Sequence, residues 1–206
     1  MQRFLGDFVF LFTVIDPIGT APVFIAATAG MSDRTRRLIA VRAAVISAAL
    51  LVACVVVGQA VLEHLDIDFA AFRVAGGVIL FLFALDMIFG ESKPEHEVAE
   101  ANKHAEDDLD AAVYPLAIPS IAGPGAIMAA ILLTDNSQFS LAEQSLTALA
   151  ILLVLALTFL TMLAATRIHR LIGQVGASII SRVMGMLFAA MAADGVLSGV
   201  RDFFLI

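Results

Sequence analysis

Apolar positions in this chain do not alternate with polar ones; they run. Six long apolar stretches, at about 4–29, 38–62, 69–89, 111–133, 142–165 and 179–204, are parted by short polar segments. Each comes near or above the roughly 20 residues that a helix needs to cross a hydrocarbon core about 30 Å thick. The separators are a turn with Ser32, Asp33, Arg34, Arg36 and Arg37, an acidic loop at 63–68, a long acidic loop at 91–110, and a basic linker with Arg167 and Arg170. The pattern predicts an all-α integral membrane protein of six transmembrane helices, one transmembrane domain over residues 1–206.

Two of the runs are interrupted. Asp16-Pro17-Ile18-Gly19-Thr20-Ala21-Pro22 lies inside the first, and Pro119-Ser120-Ile121-Ala122-Gly123-Pro124-Gly125 inside the fourth. Proline removes a backbone N–H and its ring clashes with the carbonyl four residues earlier, so helices 1 and 4 are expected to be broken at mid-membrane. Bare backbone at that depth is tolerated only where protein buries it or a watery cavity meets it, which makes both breaks candidate binding sites.

Composition sharpens this picture. The 206 residues are 61% hydrophobic and 15% charged, with a mean hydropathy of +0.97. The net charge of -7 is local, because residues 91–110 hold eight carboxylates against two lysines. Nucleic acid is therefore not an expected partner. Cys54 is the only cysteine, which excludes an intrachain disulfide and a cysteine metal cluster. His96 and His104 lie among carboxylates, but a solvated charged loop accounts for them, so neither metal nor cofactor is expected. Arg3 and the following apolar run superficially resemble a signal peptide, against which stand the weak basic start and the Asp16-Pro17 break. Nine of the twelve basic residues fall on loops 1–2, 3–4 and 5–6 or their flanks, which by the positive-inside rule places both termini away from the cytoplasm.

An internal repeat is visible. Superposing Pro17 on Pro119 also superposes Pro22 on Pro124, and Arg73-Val74-Ala75-Gly76 in the third run matches Arg182-Val183-Met184-Gly185 in the sixth. With three spans per half the halves would sit upside down relative to each other: a 3+3 inverted repeat, about 1–90 and 111–206, around the acidic loop. Inversion would bring Arg73 near Asp194 and Arg182 near Asp86. Two cross-repeat charge pairs are expected on that ground, with interfacial snorkelling as the competing reading.

In each broken span the second half would begin at mid-membrane with open amides and the positive end of its dipole. Two such ends meeting would suit a carboxylate. Thr20 and Ser120 would add hydroxyls, Gly19, Gly123 and Gly125 close backbone approach, and Ile18 and Ile121 an apolar wall. A small zwitterion fits such a site. Asp16 is open to two readings, a helix cap or a contact to a substrate ammonium or a coupling proton or cation.

The segments Asp16 to Phe24, Pro119 to Ile127 and Arg73 to Gly77 resemble the MarC family of six-span inner-membrane proteins, over essentially the whole chain. The resemblance implies a bacterial-type inner membrane location and transport of small neutral amino acids such as glycine or alanine. It also implies substrate binding at Asp16, Pro17, Ile18, Gly19, Thr20 and Pro22, and at Pro119, Ser120, Ile121, Ala122, Gly123, Pro124 and Gly125. The family is similar in plan to the lysine-exporter superfamily. A secondary carrier working by alternating access is the leading expectation, a passive pore or regulatory membrane protein the second. An intramembrane aspartyl protease using Asp86 and Asp194 lacks the expected Tyr-Asp and Gly-x-Gly-Asp contexts, and no Walker motif is present, so no enzyme activity is expected. Oligomeric state is left open.

Overall fold

The computed structural model describes residues 2–89, 112–136 and 139–204, and every element among them is helical. The first run forms α1 (Gln2–Ile15) and α2 (Pro17–Ala27), the second α3 (Asp33–His64), the third α4 (Phe69–Phe89). The fourth becomes a wide, irregular α5 (Val113–Ile121) and α6 (Pro124–Leu132). A continuous helical stretch, Leu141–Phe204, follows and turns at Gly173 (φ 66°, ψ 175°); its arms are α7 (Leu141–Gly173) and α8 (Ser178–Phe204). Five segments are long and apolar enough to cross a membrane, and six if α5 and α6 count as one bent span. The predicted 91–110 loop lies outside the described residues.

The helix starts follow local chemistry. Ser32 accepts a hydrogen bond from the Thr35 amide at the head of α3, and Asp68 accepts from Ala70 and Ala71 at the head of α4. Valines and leucines such as Val45, Val56, Leu82, Leu160 and Leu187 face outward, as a lipid-facing belt requires. Gln2–Ala27 is the innermost span, 61% buried over its most apolar window against 22–39% for the other four unbroken spans. Around it α1 packs on α6 and α2 on α5, so the two interrupted segments lie side by side and run antiparallel.

The two interruptions differ in kind. At Asp16 the backbone flips to a left-handed conformation (φ 50°), which a short polar side chain tolerates. The backbone bonds on the two sides meet at this residue without crossing it: the Asp16 amide donates to the Phe12 carbonyl, closing α1, and the Thr20 amide to the Asp16 carbonyl, opening α2, both at 3.1 Å. Helix 1 is thus broken, as expected, but at this single residue, and Gln2–Ala27 still runs on as one span. In the fourth run Tyr114 and Ile118, each preceding a proline, are extended, because the proline ring crowds the residue before it out of the helical region. The Ala122 amide reaches back five residues to Ala117, Gly123 is extended, and α6 leaves at 48° to α5. This span is broken in earnest.

The contact between the third and last spans also explains several glycines. A Cβ on Gly77 would lie 2.9 Å from the Ala192 carbonyl, one on Gly199 2.9 Å from that of Ala70, and one on Gly185 3.3 Å from that of Ala84. Helices α4 and α8 therefore pack antiparallel with backbones in close approach.

Candidate functional site

Helix α6 begins at a cavity, with Pro124 exposed and Gly123 and Gly125 half-buried. Gly123 has no side chain to cap it and Pro124 no amide to donate, so the first free donors are the N–H groups of Gly125 and Ala126. Gly123, Pro124, Gly125 and Ala126 form one wall of a cavity of about 280 Å³. Pro119 and Ser120 from α5 and Val14 from α1 extend that wall. Across from it α4 contributes Leu80, Phe83 and Asp86, and α8 contributes Phe188. The lining is mostly apolar, with the positive end of a helix dipole, the Ser120 hydroxyl and the Asp86 carboxylate as its polar features. Its volume falls just under the range of about 300–1,000 Å³ usual for small-molecule pockets, which favours a small solute.

Of the residues read from the sequence, Pro119, Ser120, Gly123, Pro124 and Gly125 meet at this cavity, and Asp86 joins them. Ile121 and Ala122 are buried in packing instead. The first motif is not part of this lining, to which span 1 contributes Val14 instead. Its helix start is capped. The Asp16 Oδ1 accepts from the Gly19 N–H at 2.9 Å, the Thr20 hydroxyl donates to the Asp16 carbonyl, and Pro17 supplies no donor. Asp16 is therefore a helix cap in this structure, and Gly19 is needed because a Cβ there would collide with the capping carboxylate. The other oxygen, Oδ2, is buried without a hydrogen-bond partner. Ile18 is half-buried, and Pro22 sits within α2 without breaking it.

The expected charge pairs are also corrected. Arg73 donates to Asp202 at 2.6 Å, not to Asp194. With Gly199 packed on Ala70, Arg73 stands beside the last turns of α8, and its long side chain extends toward the helix end rather than the span centre. Arg182 donates to the Ile88 carbonyl at 2.6 Å rather than to Asp86, because the last turn of α4 presents carbonyls that its own helix cannot satisfy. Both arginines still join α4 to α8. Asp194 lines a second cavity, of about 270 Å³, together with Arg73.

One polar cluster escaped the sequence reading. Arg3 stands 3.6 Å from Asp7 and 3.3 Å from Glu143, donates to the Leu133 carbonyl at 3.1 Å, and lies 3.3 Å over the Phe139 ring. The Thr147 hydroxyl donates to Asp7 at 2.7 Å. The cluster ties α1 to α7 and to the end of α6. Its one local signal is the four-residue spacing of Arg3 and Asp7 at the edge of an apolar run, since the remaining contacts span more than a hundred residues.

The profile of the family described as MarC family integral membrane protein matches residues 1–204. The chain belongs to the MarC family. A UPF0056 membrane protein of Methanocaldococcus jannaschii is 34% identical over 201 residues, covering 98% of this chain and 97% of the relative. The Bacillus subtilis membrane protein YvbG is 32% identical over 198 residues (96% and 93%). The Escherichia coli inner membrane protein YhgN is 28% identical over 201 residues (98% of each). No solved structure matches the chain. With these relatives and its apolar helices, this MarC protein is an integral, multi-pass membrane protein.

Proposed function

We propose that this MarC protein is a secondary transporter of small zwitterionic solutes, most simply neutral amino acids of the size of glycine and alanine. The observation that carries the reading is the uncapped start of α6 facing the same small cavity as Asp86. A solute carboxylate would accept from the Gly125 and Ala126 amides, where the helix dipole favours negative charge. Its ammonium would face Asp86, and the apolar wall of Val14, Leu80 and Phe83 would leave room only for a short side chain. The antiparallel lie of the interrupted segments and the matched arginines of α4 and α8 favour an inverted 3+3 plan, in which one half rocks against the other for alternating access. The buried Asp16, with Oδ2 unbonded, is the candidate for coupling to a proton or cation. An inner-membrane location, with both termini away from the cytoplasm, completes the proposal.

Counterflow of labelled glycine, alanine and larger neutral amino acids in proteoliposomes, with and without a pH gradient, tests it. Counterflow restricted to the small members is expected. Flux of all sizes without counterflow would indicate a passive pore, and silence throughout a structural or regulatory role.

A further inference from the structure

The two cavities share one lining residue, Leu80, among the described residues. Leu80 is 4% exposed and lies near the middle of α4 (Phe69–Phe89). A turn or more before it, Arg73 and Gly77 face the second cavity; the adjacent Ile79 and, on the C-terminal side, Phe83 and Asp86 face the first. The same order holds on the neighbours. Along α1 Phe10 belongs to the second cavity and Val14 to the first, and along α6 the N-terminal turn belongs to the first while Leu132 belongs to the second. The cavities are thus stacked end to end along the helix axes. Arg73 and Asp86 are thirteen residues apart, about 20 Å along the helix, a large part of a hydrocarbon core.

We infer that the second cavity is a second station for the same zwitterionic solute, and that the Leu80 side chain is the partition between the two. The inference rests on the transport reading above. The second cavity has the same mixed lining as the first, with the Asp194 carboxylate, the Ser198 hydroxyl and the Arg73 guanidinium, which also holds Asp202, as its polar groups. Around Leu80 the chain is short of side chains: Gly77 lies three residues before it, and a Cβ on Gly125 would come within 2.8 Å of its Cδ2 atom. A single isobutyl group in a glycine-lined passage is a partition that a change of rotamer or a small helix shift opens.

Two readouts in the full chain test this, both in a Cys54→Ala background. The first is the labelling rate, by a membrane-impermeant thiol reagent, of Ser120→Cys in the first cavity and Ser198→Cys in the second, with and without alanine. At least threefold slowing at both positions is expected. The second is efflux of preloaded alanine into alanine-free buffer, where Leu80→Ala should leak at least fivefold faster than the parent and the outward-facing Leu187→Ala within twofold of it. The labelling result does not depend on how well the Leu80 variant folds. Slowing at Ser120→Cys but not at Ser198→Cys overturns the second station, and a parental leak from folded Leu80→Ala overturns the partition, the transport reading standing in both cases. Absence of slowing at both positions, with no counterflow by the parent, overturns that reading and this inference together.

Discussion

The antiparallel contact of α4 and α8 makes a prediction whose sign is set by two glycines. At Gly77 a Cβ would meet the Ala192 carbonyl at 2.9 Å, the Val196 amide nitrogen at 3.0 Å and a Val196 methyl at 2.6 Å. Two of these are backbone atoms, so the helices must separate to admit it. Overpacking of this kind costs about 1–3 kcal/mol. At Gly195 a Cβ would meet nothing within 4 Å. Both glycines are inside helices, where alanine is favoured over glycine by about 0.8–1 kcal/mol. That gain cancels between Gly77→Ala and Gly195→Ala, leaving the packing penalty of about 1–3 kcal/mol as their difference. At about 2–4 °C per kcal/mol for a chain of this size, Gly77→Ala should melt roughly 2–12 °C below Gly195→Ala. Gly195→Ala itself should match or exceed the parent. The assay is thermal unfolding of the purified proteins in one detergent. Equal melting temperatures, or a Gly77→Ala protein more stable than Gly195→Ala, would refute the close approach of the two helices.

Other expectations follow from single contacts. Asp16→Ala loses the cap on Gly19 and should cost about 1 kcal/mol, whereas Asp16→Asn keeps an accepting oxygen and should cost less; denaturation of both variants separates them. If Asp16 also couples transport to a proton, Asp16→Asn should abolish the response of counterflow to a pH gradient while leaving the fold intact. In a double-mutant cycle with Arg73→Gln and Asp202→Asn, the half-shielded pair should show a coupling of about 0.5–1 kcal/mol, while Arg73→Gln with Asp194→Asn should show less. Thr147→Val removes the hydroxyl that donates to the buried Asp7 and should destabilise by about 1–3 kcal/mol, measured by the same melting assay.

The sequence carries the membrane class, the apolar spans and the second proline motif because these depend on local rules. Run length decides whether a segment can span a bilayer, and Pro119 with Pro124 leaves α6 a start that no side chain caps. The first motif misled through the same rule. Pro17 and Pro22 look as disruptive as their counterparts, but the Asp16 carboxylate closes on the Gly19 amide and the Asp16 carbonyl on the Thr20 amide, so the start of α2 is capped where that of α6 is not. Whether a proline break stays open thus turns on the residue before it. The partners of Arg73 and Arg182 were illegible for another reason. A repeat points to which helices meet, not to how far along its neighbour an arginine side chain reaches. The Arg3, Asp7, Glu143 and Thr147 cluster unites the two ends of a long path through sequence, and no local pattern announces it.

The central claim is that a solute carboxylate sits on the first free amides of α6. Solid-state NMR of the protein in lipid, with ¹⁵N in its glycine and alanine amides and ¹³C in the carboxylate of added alanine, measures that contact directly. Dipolar coupling placing the carboxylate carbon within about 4 Å of the Gly125 and Ala126 nitrogens is the predicted result. Alanine bound with no coupling to either amide would contradict it.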